Sequence, residues 1–290
     1  MGDLLMSLPV IHALRAAFPE SHLTLLMRSE LVPLLENHPD ISQILPVDPA
    51  QGQGWGAILR WGRTLRSCRF DTALILNPTR LFHIASFLAG IPKRVGYRRK
   101  WGFLLTAGLI DTKAVRRRHE VEYNLELLEL LAVRHSPAVL SVPVPEDKKT
   151  QAQALLPGGP PPVAIHPWTS NPAKALPVSF FEEVAQELSR RGRTAVWIGE
   201  PGPFEKLRAN GVVDLTGKIP LRLLPAVLKQ CALLISNDSG PVHVAAAVGT
   251  PTVVVAPEAH RATLERWAPF GPGHTLLFAP TVDQVLSHIP

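Results

Sequence analysis

Cysteine is scarce in this sequence: only Cys68 and Cys231 occur, far apart. Two such residues make neither a disulfide framework nor a cysteine-based zinc site, which fits a reducing compartment. Cys231 lies among apolar residues and reads as buried. No apolar run reaches the roughly 20 residues needed to span a bilayer. Met1-Gly2-Asp3 lacks the basic stretch of a secretory signal. Several signature motifs are missing as well. There is no G-x-x-x-x-G-K-[ST], which excludes a P-loop NTPase. Gly52, Gly54 and Gly56 do not make G-x-G-x-x-G, so the nicotinamide fingerprint is absent. No G-x-S-x-G elbow occurs. His119-Glu120 lacks the second histidine of H-E-x-x-H, and no Asp-x-Asp pair exists, so no metal site is expected. Aromatic residues, 6% of the chain, are not interleaved with the basic clusters, which argues against nucleic acid.

What is present is a chain of 290 residues, 46% of them hydrophobic, enough for one large or two medium domains. Its formal charge is +6, with basic residues concentrated at Arg94, Arg98, Arg99, Lys100 and Arg116-Arg117-Arg118. Such patches attract phosphates, acidic sugars, anionic lipid heads or nucleic acid, or simply face solvent. Helix-like and strand-like stretches alternate. Helical spacing covers Leu4–Phe18, Leu31–Glu36, Trp55–Arg66, Leu81–Leu88 and His119–Val133. Strands are expected at His22–Met27, Gln43–Val47, Phe70–Leu76 and Arg94–Gly96. Residues Arg134–Pro162 are rich in proline and polar groups, and Pro157–Pro162 reads as a hinge.

After the hinge the alternation restarts. Strands are expected at Val163–His166 and Thr194–Ile198, and helices at Val178–Arg190, Phe204–Ala209 and Leu221–Gln230. Alternating strands and helices imply parallel sheets wrapped by helices, here as two α/β domains, 1–155 and 156–290. Ligands of such sheets sit beyond the carboxyl ends of the strands.

The most informative stretch is Asn237-Asp238-Ser239-Gly240-Pro241-Val242-His243, set between the apolar runs Ala232–Ile235 and Thr252–Val255. It reads strand, polar turn, Ala-rich helix, strand. Asp238 or Ser239 can cap the helix, whose first amides suit a phosphate or a sugar. His243 lies one helical turn beyond Ser239; it faces the same ligand or belongs to the core. Asp238-Ser239-Gly240 also matches the aspartic-protease triplet, but that triplet needs an all-β setting. Lys174 follows a strand end with Thr169 and Ser170. There it can neutralise a leaving diphosphate or remain a solvated loop lysine. Glu205, in another post-strand loop, either holds ribose hydroxyls or starts a helix. Asp3 either caps the first helix or acts as a general base. His119-Glu120-Val121-Glu122-Tyr123 reads as a solvated helix start.

Together these motifs resemble glycosyltransferase family 9, the ADP-heptose:lipopolysaccharide heptosyltransferases. Gly2-Asp3-Leu4-Leu5 with Leu8-Pro9 and Leu14-Arg15-Ala16-Ala17-Phe18-Pro19 looks like the family's amino-terminal motif. Arg94-Val95-Gly96-Tyr97 and His119–Tyr123 look like its mid-chain segments. Lys174 with Leu176-Pro177 resembles its Lys-x-Trp-Pro loop, with Leu176 where Trp is usual. Asn237–Gly240, with His243, Ala245 and Ala246, is similar to its most diagnostic stretch.

The resemblance implies a GT-B fold, two Rossmann-like domains facing across a cleft, the first for the acceptor and the second for the donor. It implies inverting transfer of a heptose from ADP-heptose to the lipopolysaccharide inner core, with no cofactor and no metal. It implies a cytoplasmic enzyme peripheral to the inner membrane, whose acceptor is the core and lipid A at the membrane surface. Asp3 matches the family's base, and Lys174 its donor-phosphate lysine. Thr169, Ser170, Glu205, Ile219, Asp238, Ser239, Gly240 and His243 match donor positions. Arg94, Arg98, Arg99, Lys100, Arg118 and His119 are expected to face the acceptor. The family carries a strand ahead of its Gly-Asp turn, which this sequence lacks, so the amino-terminal sheet is expected without its first strand. The competing readings are another GT-B enzyme, a UDP-sugar glycosyltransferase or epimerase, and a non-catalytic binder of anionic glycolipid or nucleic acid.

Overall fold

A computed structural model describes residues 1–52, 54–113, 115, 118–134, 138–200 and 211–289. In chain order its elements are α1 (Gly2–Leu5), α2 (Leu8–Ala17), β1 (Thr24–Arg28), α3 (Val32–Leu35), β2 (Gln43–Val47), α4 (Trp55–Cys68), β3 (Thr72–Ile75), α5 (Arg80–Leu88), β4 (Lys93–Arg98), β5 (Ala107–Ile110), α6 (Glu120–Glu126) and α7 (Glu146–Leu155). There follow β6 (Val163–His166), α8 (Val178–Arg190), β7 (Ala195–Trp197), β8 (Val213–Asp214), α9 (Leu224–Lys229), β9 (Leu233–Asn237), α10 (Gly240–Val248), β10 (Thr252–Ala256), α11 (Arg261–Arg266), β11 (His274–Phe278) and α12 (Val282–Leu286). The expected helix Phe204–Ala209, with Glu205, lies outside the described residues. The class is the α/β class expected, and among the described residues every strand pair is parallel.

Two compact units arise, and neither is one continuous stretch. Unit 1 holds Met1–Met6, Pro33–His38 and Leu140–Pro290; unit 2 holds Ser7–Val32 and Pro39–Val139. The expected boundary at 155/156 lies inside unit 1, and the stretch read as linker contains α7. Its helix spans Glu146–Leu155, with Glu146 and Asp147 in the first turn, where the helix dipole favours acids.

Unit 1 is a six-stranded sheet in the order β11-β10-β9-β6-β7-β8. Strands β6, β9 and β10 are buried along their whole length. Their continuous apolar runs are what a parallel sheet covered on both faces demands. Val163, Ile165, Trp197, Leu233, Ile235, Val253 and Val255 point to one face, where Phe181, Val184 and Leu188 of α8 and Val285 and Leu286 of α12 close the core. From β6 the chain runs outward through β7 and β8, then returns to β9 on the other side of β6. The carboxyl ends of β6 and β9 are therefore neighbours at the point where strand order reverses, the usual ligand position of an open α/β sheet.

Unit 2 holds two separate parallel sheets, β1-β2 and β3-β4-β5. Among the described residues no strand precedes α1, and β1 and β3 each pair on one side only. One layer of helices serves both sheets: Ile58, Trp61 and Leu65 of α4 and Leu81, Ile84 and Ala85 of α5 pack with Leu26, Leu45 and Val47, and with Ala73. A second core joins Tyr97, Tyr123 and Leu127.

The single helix expected over Leu4–Phe18 breaks at Met6-Ser7. Pro9 sits at the second position of α2, where its missing N–H costs nothing, so a new helix starts there. Among the described residues no helix is long and apolar enough to cross a membrane.

Candidate active site

The reversal point of unit 1 gathers two segments. One is the loop after β6, from Pro167 to Pro177; the other is the turn after β9, from Asn237 to Gly240. Asn237, fully buried, fastens them together. Its amide donates to the Pro167 carbonyl at 2.6 Å and its Oδ1 accepts from the Leu176 N–H at 2.9 Å. Both ends of the loop are thus tied to the end of β9. Within the loop, Asn171 Oδ1 accepts from the Ala173 N–H and caps a short 3-10 turn, Pro172–Lys174, which presents Lys174.

Lys174 Nζ donates to Asp238 Oδ2 at 2.8 Å. The same oxygen lies 2.9 Å from Nε2 of His260, in the 3-10 turn Glu258–His260 beyond β10. The Asp238 carboxylate is 6% exposed and the Lys174 side chain 30%, so the lysine keeps a solvent-facing side. Burial pushes the Asp238 carboxyl upward, but the hydrogen bonds from Lys174 and His260 outweigh it and hold the acid below its usual range. The carboxylate therefore neither caps α10 nor stands free to repel a phosphate. His260 was not among the residues expected from the sequence. Its only signal is its place, a few residues past the strand that flanks the reversal point.

Ser239 occupies the cap position of α10, yet its hydroxyl makes no cap bond. It turns instead to Nδ1 of His166 at 3.1 Å and to the Ser236 hydroxyl at 2.9 Å, while Ser236 donates to the Asn237 carbonyl at 2.7 Å. Burial lowers the His166 imidazole to about 4, so it is neutral near pH 7. Gly199, at φ +126°, lets this ring approach. A Cβ there would lie 2.7 Å from His166 Cδ2 and 2.8 Å from Trp168 Cε3.

The first residues belong to this site. A Cβ on Gly2 would lie 2.9 Å from Cδ2 and Nε2 of His243, and a Cβ on Gly240 would lie 2.8 Å from Met1 Sδ. Leu5 and Met6 are fully buried. The segment expected to open the amino-terminal domain thus packs on α10, because its glycine and its apolar side chains fit the small residues there. His243 is 5% exposed under this segment, and Asp3 is exposed in α1 alongside.

Of the other expected donor residues, Thr169 is half-buried and Ser170 exposed in the post-β6 loop. Ile219 is half-buried in the turn between β8 and α9. Glu205 lies outside the described residues. Among the described residues no group of three His, Cys, Asp or Glu side chains could hold a metal.

The residues expected to face an acceptor are all in unit 2, and most have partners there. Arg94 donates from Nε to the Leu104 carbonyl at 2.7 Å and from Nη1 to that of Ile91. Arg98 Nε donates to the Gly108 carbonyl at 3.1 Å, and Arg99 pairs with Asp111 at 3.0 Å. Arg118 lies 3.6 Å from Glu126, and Lys100 is exposed. His119 caps α6, its Nδ1 accepting from the Val121 N–H at 3.2 Å. The segment His119–Tyr123 is not a solvated helix start. Glu120, 6% exposed, pairs with Lys113, whose ammonium lies 4.7 and 5.4 Å from the ring centroids of Tyr97 and Tyr123. A charge buried this far requires such a partner.

Comparison with known proteins bears directly on this arrangement. Residues 58–270 match the model of glycosyltransferase family 9 (heptosyltransferase). Lipopolysaccharide heptosyltransferase 2 of Escherichia coli is 26% identical over 278 residues, covering 88% of this chain and 79% of that protein. A family 9 glycosyl transferase from Veillonella parvula superposes with a TM-score of 0.87 at 22% identity, over 99% of this chain and 92% of that one. The E. coli ADP-heptose lps heptosyltransferase II superposes at 0.82, again 22% identical, over 99% and 94%. The fold is the GT-B fold of the heptosyltransferases. With the family model spanning well over half of its length, the chain belongs to glycosyltransferase family 9, the heptosyltransferases, and is a glycosyltransferase.

Proposed function

We propose that this enzyme transfers a heptose from ADP-heptose, with inversion, to the inner core of lipopolysaccharide, acting from the cytoplasm at the inner-membrane surface. The observation that carries the donor half is the Lys174–Asp238 pair at the reversal point of the unit 1 sheet, in a chain of this family. The acceptor hydroxyl attacks the anomeric carbon of the heptose as the bond from that carbon to the diphosphate oxygen breaks. The hydroxyl proton goes to the Asp3 carboxylate, and the electron pair leaves with ADP. Lys174, held in place by Asp238 and open to solvent on one side, meets the charge that grows on the diphosphate. The Gly240 N–H at the start of α10, which the Ser239 hydroxyl leaves uncapped, adds to it. Glu205, Ile219, Thr169 and Ser170 take the nucleoside and phosphate contacts in this reading, and the basic residues of unit 2 take the acceptor's phosphates and acidic sugars. Lipopolysaccharide heptosyltransferase 2 of E. coli, by its name, acts in this chemistry, and the E. coli structure is named for ADP-heptose.

ADP release from ADP-heptose with a Kdo2–lipid A or heptosylated acceptor tests the proposal. Turnover should fall about 10²- to 10³-fold in Lys174→Ala, the loss typical of one charge-stabilising donor. Asp3→Ala at full rate would remove Asp3 as the base. An absence of turnover with every nucleotide heptose would sink the assignment.

A further inference from the structure

Unit 2 carries a band on which exposed apolar and basic side chains alternate. Phe103 is 73% exposed, Ile110 76% and Phe87 49%. Each touches or neighbours a basic or aromatic side chain. The Arg94 guanidinium lies 5.5 Å from the centroid of the Phe87 ring and its Nε holds the carbonyl of Leu104, next to Phe103. The ring of Phe103 lies 5.9 Å from that of Trp101. A Cβ on Gly102 would lie 3.1 Å from Arg98 Cβ, so the turn bearing Phe103 is pressed onto Arg98. Ile110 is the partner of Arg98 across β4 and β5. Arg98, Arg99 and Lys100 are all exposed at the end of β4, and Asp111 offsets one of their charges.

An exposed apolar band on a monomer marks a place that something covers. Cations set among side chains that can enter an interface fit one covering in particular, a bilayer surface with anionic headgroups. Single-stranded nucleic acid fits less well. Ile110, the most exposed of the three, has no ring face for a base, and Trp101 packs inward against α4 and α5.

We propose that this band is a docking surface for an anionic lipid bilayer. Phe103 and Ile110 enter the headgroup region, while Arg98, Arg99 and Lys100 lie against its phosphates. The proposal gives the membrane-embedded acceptor of the function above a physical approach to the enzyme, but its test needs no catalysis.

The full chain is sedimented with vesicles of phosphatidylglycerol and phosphatidylcholine, and with pure phosphatidylcholine, without donor or acceptor. Wild type should prefer the anionic vesicles, and added salt should weaken binding. Phe103→Ser combined with Ile110→Ser should weaken binding at least tenfold, and Lys100→Ala about fivefold, the share of one basic residue near an anionic surface. Both variants should keep the wild-type thermal midpoint and, on a water-soluble acceptor fragment, the double variant should keep the wild-type rate. Equal binding to neutral and anionic vesicles would overturn the proposal, as would a double variant that binds like wild type. Oligonucleotide binding that outcompetes the vesicles would assign the band to nucleic acid instead.

Discussion

Replacing Asp238 by Ala removes an acceptor of two charge-assisted hydrogen bonds, at 2.8 Å from Lys174 and 2.9 Å from His260. Each such bond contributes about 1.5–3 kcal/mol, less what burial of the carboxylate costs. The partners left behind differ. Lys174 is 30% exposed and recovers water, while His260 is 11% exposed and recovers less. A net loss of about 2–3 kcal/mol follows, below the 3–5 typical when a fully buried pair is broken. In urea, with a slope of about 2 kcal/mol per molar, the midpoint should fall by about 1–1.5 M at unchanged slope.

Asp283→Ala is the control. Asp283 is 92% exposed and 3.9 Å from Arg191, so its loss should stay within about 0.5 kcal/mol. The sign with pH is fixed too. Asp238 has a lowered folded pKa, so its contribution is complete above the ordinary carboxylate value of about 3.9. It disappears as pH falls through the folded value. The gap between wild type and Asp238→Asn should therefore close in acid. An Asp238→Ala midpoint no lower than that of Asp283→Ala would refute the triad as a stabilising unit.

Three further outcomes are expected. His260→Ala should lower kcat/KM for the nucleotide-sugar about tenfold with little change for the acceptor; His260→Gln, which can still donate to Asp238, should recover most of it, and equal losses in both would remove His260 as a positioning residue. Gly199→Ala, forced against His166 and Trp168 at φ +126°, should cost about 2–3 kcal/mol by thermal or urea unfolding, and a neutral result would contradict the close approach. His166, lowered to about 4 against about 6.5 unfolded, should make the protein lose stability as pH drops below 6.5 and stop losing it near 4; His166→Gln should flatten that slope in a pH series of melting curves.

Strand and helix periods were legible wherever one residue pattern met one environment. Gln43–Val47, Val163–His166 and Val178–Arg190 form where their periodicity places them. The ends of helices were not, because local backbone geometry decides them. His119–Val133 closes as a 3-10 stretch, Leu127–Leu131, after α6, and Leu221–Gln230 begins as a 3-10 turn, Leu221–Leu223, before α9 starts at Leu224 with Pro225 second. Strands β5, β8 and β11 escaped notice: Val213–Asp214 is only two residues long, and His274–Phe278 is half-buried throughout. In the site, Lys174 and Asp238 were legible as post-strand residues, but their pairing needed the strand order, which no spacing reveals. Asn237 was visible only as part of a motif; its clamp on Pro167 and Leu176 joins residues about seventy and sixty positions away. The burial of Glu120 against Lys113 was hidden because two adjacent polar residues look solvated until a distant tyrosine is placed beneath them.

The division of the chain between the two units has a consequence for anyone who would take the protein apart. The backbone passes from one unit to the other four times, at 6/7, 32/33, 38/39 and 139/140. No single cut yields either unit whole. A gene trimmed to start at Leu140 would make a unit 1 without Met1–Met6, leaving His243 and Gly240 uncovered, and without Pro33–His38. A protease nick at 139/140 would instead leave two fragments interlocked through the shared packing of unit 1. The nicked enzyme should run as one species on a sizing column and separate only in denaturant.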